Sequence, residues 1–158
     1  MKANDRKYEH VADAAAGYFD SGYNCAESLL LALAPADART PDGIQRAATA
    51  LGGGIARAGL ACGCLTGAAV AVGLRMGRTS PDDADAKERA YRVTASIARR
   101  FAAEFGTTEC RKLTGLDFNE DNPQDELDRV HAEVCSRVVR FVAAAAAGEI
   151  AAAETGGE

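Results

Sequence analysis

Residues 80–106 read SPDDADAKERAYRVTASIARRFAAEFG, and this stretch decides the fold. Ser80 is a helix-capping residue, Pro81 fits a first helical position, and Asp82 and Asp83 complement the positive end of a helix. Ala90, Thr94, Ile97, Phe101 and Phe105 then recur at three- and four-residue steps, and Gly106 supplies a stop. The stretch predicts a long amphipathic helix with that stripe turned inward.

The same punctuation recurs on both sides. A helix is expected from about Asp5 to Phe19, with Tyr8, Val11, Ala15 and Tyr18 on one face and Ser21-Gly22 as its end. Asn24 caps a second helix through Ala34, which places Cys25 in a first turn. Thr40 and Pro41 open a third, to about Leu51, where Gly52, Gly53 and Gly54 stop it. A fourth starts between Cys62 and Thr66 and runs through Met76 to Gly77. After Gly106, Thr107 or Thr108 can cap a short turn holding Cys110 and Leu113. Residues 115–123 form a polar loop. A last helix, from about Pro123 into the alanine run, buries Leu127, Val130, Val134, Val138 and Phe141, and residues 151–158 are expected to fray.

No segment alternates β-branched and polar residues with a period of two. The expected fold is all-α: a single-domain, compact bundle of about six helices over residues 1–158, with its core in about 5–150 and a glycine-rich loop before Cys62-Gly63-Cys64. A chain of 158 residues buries a normal core without disulfide staples.

Bulk chemistry excludes several roles. The net charge of −5 is spread over mixed-sign helices, with no basic stripe carrying interleaved aromatics, which argues against nucleic-acid binding. The start, MKANDRKYEH, lacks the apolar core of a secretory signal. The longest uncharged stretch, Ala58 to Leu74, is broken by four glycines and falls short of the roughly 20 apolar residues of a membrane span. A cytoplasmic protein without membrane insertion is therefore expected.

The five cysteines, Cys25, Cys62, Cys64, Cys110 and Cys135, carry the chemistry. An odd count in a reducing compartment points away from a disulfide framework and toward metal binding, redox chemistry or burial. Cys25, Cys62 and Cys110 are placed at helix N-termini, where thiol pKa falls, with Arg57, Arg111 and Lys112 as nearby cations. Their ionisation near neutral pH is the expectation. Cys135 lies mid-helix beside His131, an i, i+4 pair that reads as base and nucleophile, as two ligands, or as ordinary core.

Successive gaps of 37, 2, 46 and 25 residues match no zinc finger, zinc ribbon or local ferredoxin pattern. A metal site would have to be assembled from separate helices. Cys62-Gly63-Cys64 could close a strained, labile disulfide, or Cys64 could simply pack like alanine. The Gly52-Gly53-Gly54 cluster follows no strand and precedes no Gly-Lys-Ser/Thr, so nucleotide fingerprints fail and it reads as a tight loop that delivers Cys62.

The segments GYNCAES around Cys25, LGGGIARAGLACGCLTGA around Cys62, FGTTECRKLTGLD around Cys110 and the late Cys135 together resemble the C-GCAxxG-C-C family of redox-active bacterial and archaeal proteins. The resemblance spans about Phe19 to Phe141. It carries the family's four cysteines onto Cys25, Cys62, Cys110 and Cys135, and its motif glycines onto Gly63 and Gly67. Cys64 stands where the family usually has alanine.

The resemblance implies redox function, since some members carry selenocysteine and a related domain occurs in split-Soret cytochromes with a 2Fe-2S cluster. It also hints at a functional link to a transporter. Three readings follow. In the first, Cys25, Cys62, Cys110 and Cys135 hold a 2Fe-2S cluster for electron transfer or redox sensing, with helix N-termini balancing its charge. In the second, the chain is a metal-free thiol-disulfide oxidoreductase using Cys62 and Cys64, its partner a redox protein or a small thiol. In the third, it is a non-catalytic module with structural cysteines or zinc.

Overall fold

The computed structural model describes residues 3–37 and 40–156. Among them the secondary structure is helical apart from one isolated antiparallel bridge between Ala61 and Glu109. A 3-10 helix, Ala3–Tyr8, leads into α1 (Glu9–Asp20), followed by α2 (Cys25–Leu33), α3 (Gly63–Met76), α4 (Ala84–Phe105), α5 (Cys110–Thr114), α6 (Gln124–Val130) and α7 (Ser136–Thr155). A π-helical turn, His131–Cys135, joins α6 to α7, so these two are one rod and the helices number six among the described residues.

The all-α expectation holds, with local corrections. Residues 40–51 form no α-helix: they make two 3-10 turns, Ile44–Ala47 and Thr49–Leu51. The cause is tertiary, because Asn24 Nδ2 donates to the Thr49 carbonyl at 3.0 Å, and Gly43 turns the chain at φ 73°. The α4 cap is Asp83, which accepts from Ala86 N, so Ser80 and Pro81 lie in the approach. The α4 stripe is centred on Ala86, Val93, Ile97 and Phe101. On α1 the buried face is Ala12, Ala15 and Phe19, and Tyr18 points outward. The tail does not fray at Ala151: α7 continues through Thr155, and residues 157–158 lie outside the described ones.

The core sits between α2, α3, α4 and α7, where Leu29, Leu30, Val72, Ile97, Phe101, Val139 and Val142 are almost fully buried. Ala143, Ala144, Ala145, Ala146 and Gly148 of α7 are buried too. Such small residues let neighbouring backbones approach closely. One such approach joins α2 to α3, where the Gly67 backbone lies against Ala26.

One polar anchor ties the N-terminus to this core. Arg100 of α4 donates to both oxygens of Asp5 at 2.7 Å, to Glu149 at 3.2 Å and to the Ala145 carbonyl at 3.3 Å. Asp5 is only 3 % exposed. A single ammonium cannot reproduce this planar fork. Arg100→Lys is therefore expected to lower stability by about 1–2 kcal/mol, read as a drop in the urea midpoint at constant slope.

Candidate functional site

All five cysteines line one cavity of about 520 Å³. Four elements deliver them. Asn24 builds the first by capping α2: its Oδ1 accepts from Ala26 N and Glu27 N, and Glu27 Oε2 accepts from Asn24 N in return. This reciprocal capping box fixes the helix start, with Cys25 as its first residue. The second is the start of α3, with Cys62 at the cap position and Cys64 in the first turn.

The third is the start of α5, brought in by backbone pairing: Cys62 N donates to the Thr108 carbonyl at 2.9 Å and Cys110 N to the Leu60 carbonyl at 2.7 Å. The fourth is the π-helical turn ending in Cys135. Its His131 ring stacks on Phe19 of α1, centroids 4.1 Å apart and planes 9° off parallel. A π-turn inserts one extra residue per turn and so re-aims the side chains that follow it.

The glycine-rich loop closes the wall. Gly53, Gly54, Ile55, Ala56 and Arg57 all have positive φ, between 49° and 71°, a left-handed helical turn. For the three residues with a Cβ this costs about 1–2 kcal/mol each. Hydrogen bonds from Ala56 N to Ala50 O, Gly59 N to Gly53 O and Leu60 N to Gly54 O hold it in place. A clamp binds the loop to α2: Thr49 Oγ1 donates to Glu27 Oε1 at 2.6 Å, Asn24 Nδ2 donates to Thr49 O, and a Cβ on Gly52 would strike the Asn24 side chain. On its far side, Asn119 Nδ2 donates to the Arg57 carbonyl at 3.0 Å.

The loop was expected to deliver Cys62, and it serves Cys25 more directly. The Cys25 sulfur takes a hydrogen bond from the Cys64 thiol and from the amides of Gly53, Ala26 and Cys25 itself. Among the causes the Cys64 bond is the largest; together they outweigh burial and hold the Cys25 thiol below its ordinary range. Cys64 moves the other way, because complete burial comes first and its neighbours Cys25 and Cys62 add to it. Of the two adjacent sulfurs, Cys25 therefore gives up its proton more readily and Cys64 holds its own more tightly.

Cys110 corrects the sequence expectation. Its thiol is pushed up to about 12, chiefly by burial. The helix behind it, Cys110–Thr114, is a single turn with a small dipole. The neighbouring cations are engaged elsewhere, Arg111 with Asp117 at 2.5 Å and Lys112 with Glu109 at 2.7 Å. Cys135 is likewise pushed up to about 12 by burial.

Cys110 and Cys135 make stability pH-dependent. Above the ordinary thiol value of 9.0 the unfolded chain loses protons that the folded chain keeps up to about 12. Stability therefore falls as pH rises through this window. The urea midpoint is expected to drop more between pH 9 and 12 in the native chain than in the Cys110→Ala/Cys135→Ala variant; equal slopes would show that the two thiols are not buried neutral.

Among the described residues, no three of the His, Cys, Asp and Glu side chains converge closely enough to hold a metal ion. The sulfurs instead form a chain of contacts, Cys25 to Cys64 to Cys62, with Cys110 and Cys135 on the surrounding wall. Cys64, which the sequence offers either as the partner of Cys62 or as an alanine-like packing residue, is fully buried beside both Cys25 and Cys62. Its position off the family's usual pattern gave no hint of this, since its main partner lies 39 positions away in the chain.

Among the described residues, no helix is long and apolar enough to cross a membrane. No curated protein and no solved structure matches the chain. A family model does, that of the family described as "Putative redox-active protein (C_GCAxxG_C_C)", over residues 23–149, a span that takes in every cysteine and every wall of the cavity but Phe19. With most of its length and its whole sulfur site inside that match, the chain belongs to the C_GCAxxG_C_C family.

Proposed function

We propose that this chain is a two-electron thiol-disulfide redox protein in which Cys25 is the attacking thiolate and Cys64 the resolving thiol. The observation that carries the reading is the cradle around the Cys25 sulfur, three backbone amides and the Cys64 thiol, opening on a cavity. Oriented amides favour an anionic sulfur as they do other anions.

The exchange balances as follows. The Cys25 thiolate attacks one sulfur of a disulfide RS–SR, forming Cys25–S–SR and releasing RS⁻. The Cys64 thiol gives its proton to that thiolate, then attacks the Cys25 sulfur and releases the second RS⁻. Two protein sulfurs end oxidised as one disulfide, and the substrate ends reduced as one thiol and one thiolate, the latter taking its proton from water. If the protein turns over, it is a thiol-dependent oxidoreductase.

This departs from a Cys62–Cys64 mechanism by moving the nucleophile to α2. Mild oxidation followed by peptide mapping tests it: the expected first product is a Cys25–Cys64 disulfide, and a Cys62–Cys64 product would restore the earlier assignment. The iron-sulfur reading keeps one supporting observation, that Cys25, Cys62, Cys110 and Cys135 all line the same cavity. Protein purified without oxygen is expected to carry no stoichiometric iron or acid-labile sulfide; equal amounts of both, with broad visible absorbance, would overturn the thiol mechanism in favour of a cluster.

A further inference from the structure

We propose that the disulfide exchanged at this site belongs to a small, largely apolar molecule that enters the cavity, and not to a protein or to glutathione disulfide. The inference rests on the thiol-disulfide reading and adds the substrate class. Three observations support it.

The first is depth. Cys62, Cys64 and Cys110 are between 1 % and 6 % exposed, and Cys25 is only partly accessible. Exchange requires the incoming disulfide to reach the Cys25 sulfur nearly in line with the bond that breaks. A disulfide carried on a folded surface cannot do this without unfolding the wall.

The second is size. A cavity of about 520 Å³ falls in the range that encloses small organic ligands, roughly 300–1,000 Å³.

The third is lining. Phe19, Leu113, Phe118, Leu127, Val130 and Val138 supply apolar wall, and the stacked Phe19–His131 pair offers a flat aromatic slab. Among the described residues, Arg57 is the one lysine or arginine in the lining and Asp128 the one carboxylate. Asn24, Thr49, Thr114, Gln124 and His131 also line it, but the side-chain donors of the first four are engaged within the protein, so the several peptide groups and two-ended negative charge of glutathione disulfide would find few partners beyond Arg57 and His131. An apolar disulfide with aromatic or aliphatic arms loses nothing on entry and gains by leaving water.

The test follows the reduced full-length protein by stopped flow with three probes: dithiodipyridine, glutathione disulfide and disulfide-bonded insulin. Each rate is divided by that of free cysteine thiolate with the same probe, which removes intrinsic disulfide reactivity. Dithiodipyridine is expected to exceed glutathione disulfide by at least about tenfold after this correction, and its rate to saturate with concentration because a complex forms first. Leu127→Arg, and the nearly isosteric Leu127→Asn as a milder variant, should erase both the preference and the saturation, whereas Leu127→Met should keep them.

An equal or higher corrected rate for glutathione disulfide or insulin would overturn the substrate class while leaving the thiol mechanism standing. So would a preference that survives both polar variants at Leu127. Failure of Cys25 to react with any of the three probes would instead overturn the thiol mechanism on which the inference rests.

Discussion

Gly67→Ala is expected to destabilise the protein by about 3 kcal/mol, a large share of the roughly 5–15 kcal/mol that holds a domain of this size. The added methyl would overlap the Ala26 carbonyl oxygen and come within 2.8 Å of the Ala26 Cα and 2.9 Å of its carbonyl carbon. All three are backbone atoms, so no side chain can rotate away. Helices α2 and α3 would have to separate, or α2 would have to shift along its axis. Either movement carries Ala26 and Cys25 with it, so the Cys25 thiol should draw away from the Cys64 thiol and the Gly53 amide and react at a more alkaline midpoint.

Gly73 provides the control on the same helix, since a Cβ there meets nothing within 4 Å. Gly73→Ala should stabilise by about 0.5–1 kcal/mol through helix propensity. The same chemical change six residues apart is thus expected to move the urea midpoint in opposite directions. A neutral Gly67→Ala would mean that α2 and α3 are not in backbone contact, and the positioning of Cys25 argued above would fall with that contact.

Where the chain was legible, short-range chemistry set the outcome. Asn24 caps α2 with its own side chain, Gly106 ends α4 at φ 74°, and Phe101 and Ile97 face inward at helical spacing. Each depends on a few adjacent residues. The misread segment, residues 40–51, carries helix-start signals at Thr40 and Pro41 that long-range bonds override: the Thr49 carbonyl and hydroxyl are both committed to α2.

The left-handed turn is illegible for a different reason. Ile55, Ala56 and Arg57 have no intrinsic preference for positive φ, and only the surrounding bonds impose it. In the site, the five cysteines that the sequence singles out do line one cavity. Which thiol is pushed down and which up was not legible. Helix N-termini were predicted for Cys25 and Cys110 alike, but the outcome turned on burial and on a contact between residues 25 and 64 that no sequence spacing encodes.

That contact gives the sharpest chemical expectation. In the native chain, one molecule of dithiodipyridine should release two thiopyridones, because Cys64 displaces the second from the mixed disulfide at Cys25. In Cys64→Ala the first release should persist and the second become at least about a hundredfold slower, since the resolving thiol is no longer held beside the bond it attacks. Two effects of the substitution act on Cys25 in the same direction. It removes the hydrogen bond that contributes most to holding the thiol in its low range, so the alkylation midpoint should rise. It also leaves Cys25 without the donor that replenishes the leaving thiolate's proton.

Cys62→Ala should keep both releases, because Cys62 touches Cys64 and not the reacting bond. Cys25→Ser should abolish the fast phase altogether. Two prompt releases from Cys25→Ser would return the nucleophile to the Cys62–Cys64 pair, and two from Cys64→Ala would make Cys62 the resolving thiol. A four-cysteine iron-sulfur site predicts something else again: Cys64→Ala would retain its iron and its colour while Cys25→Ser lost both. The two substitutions at residues 25 and 64 therefore separate all three chemistries that one cavity full of sulfur can support.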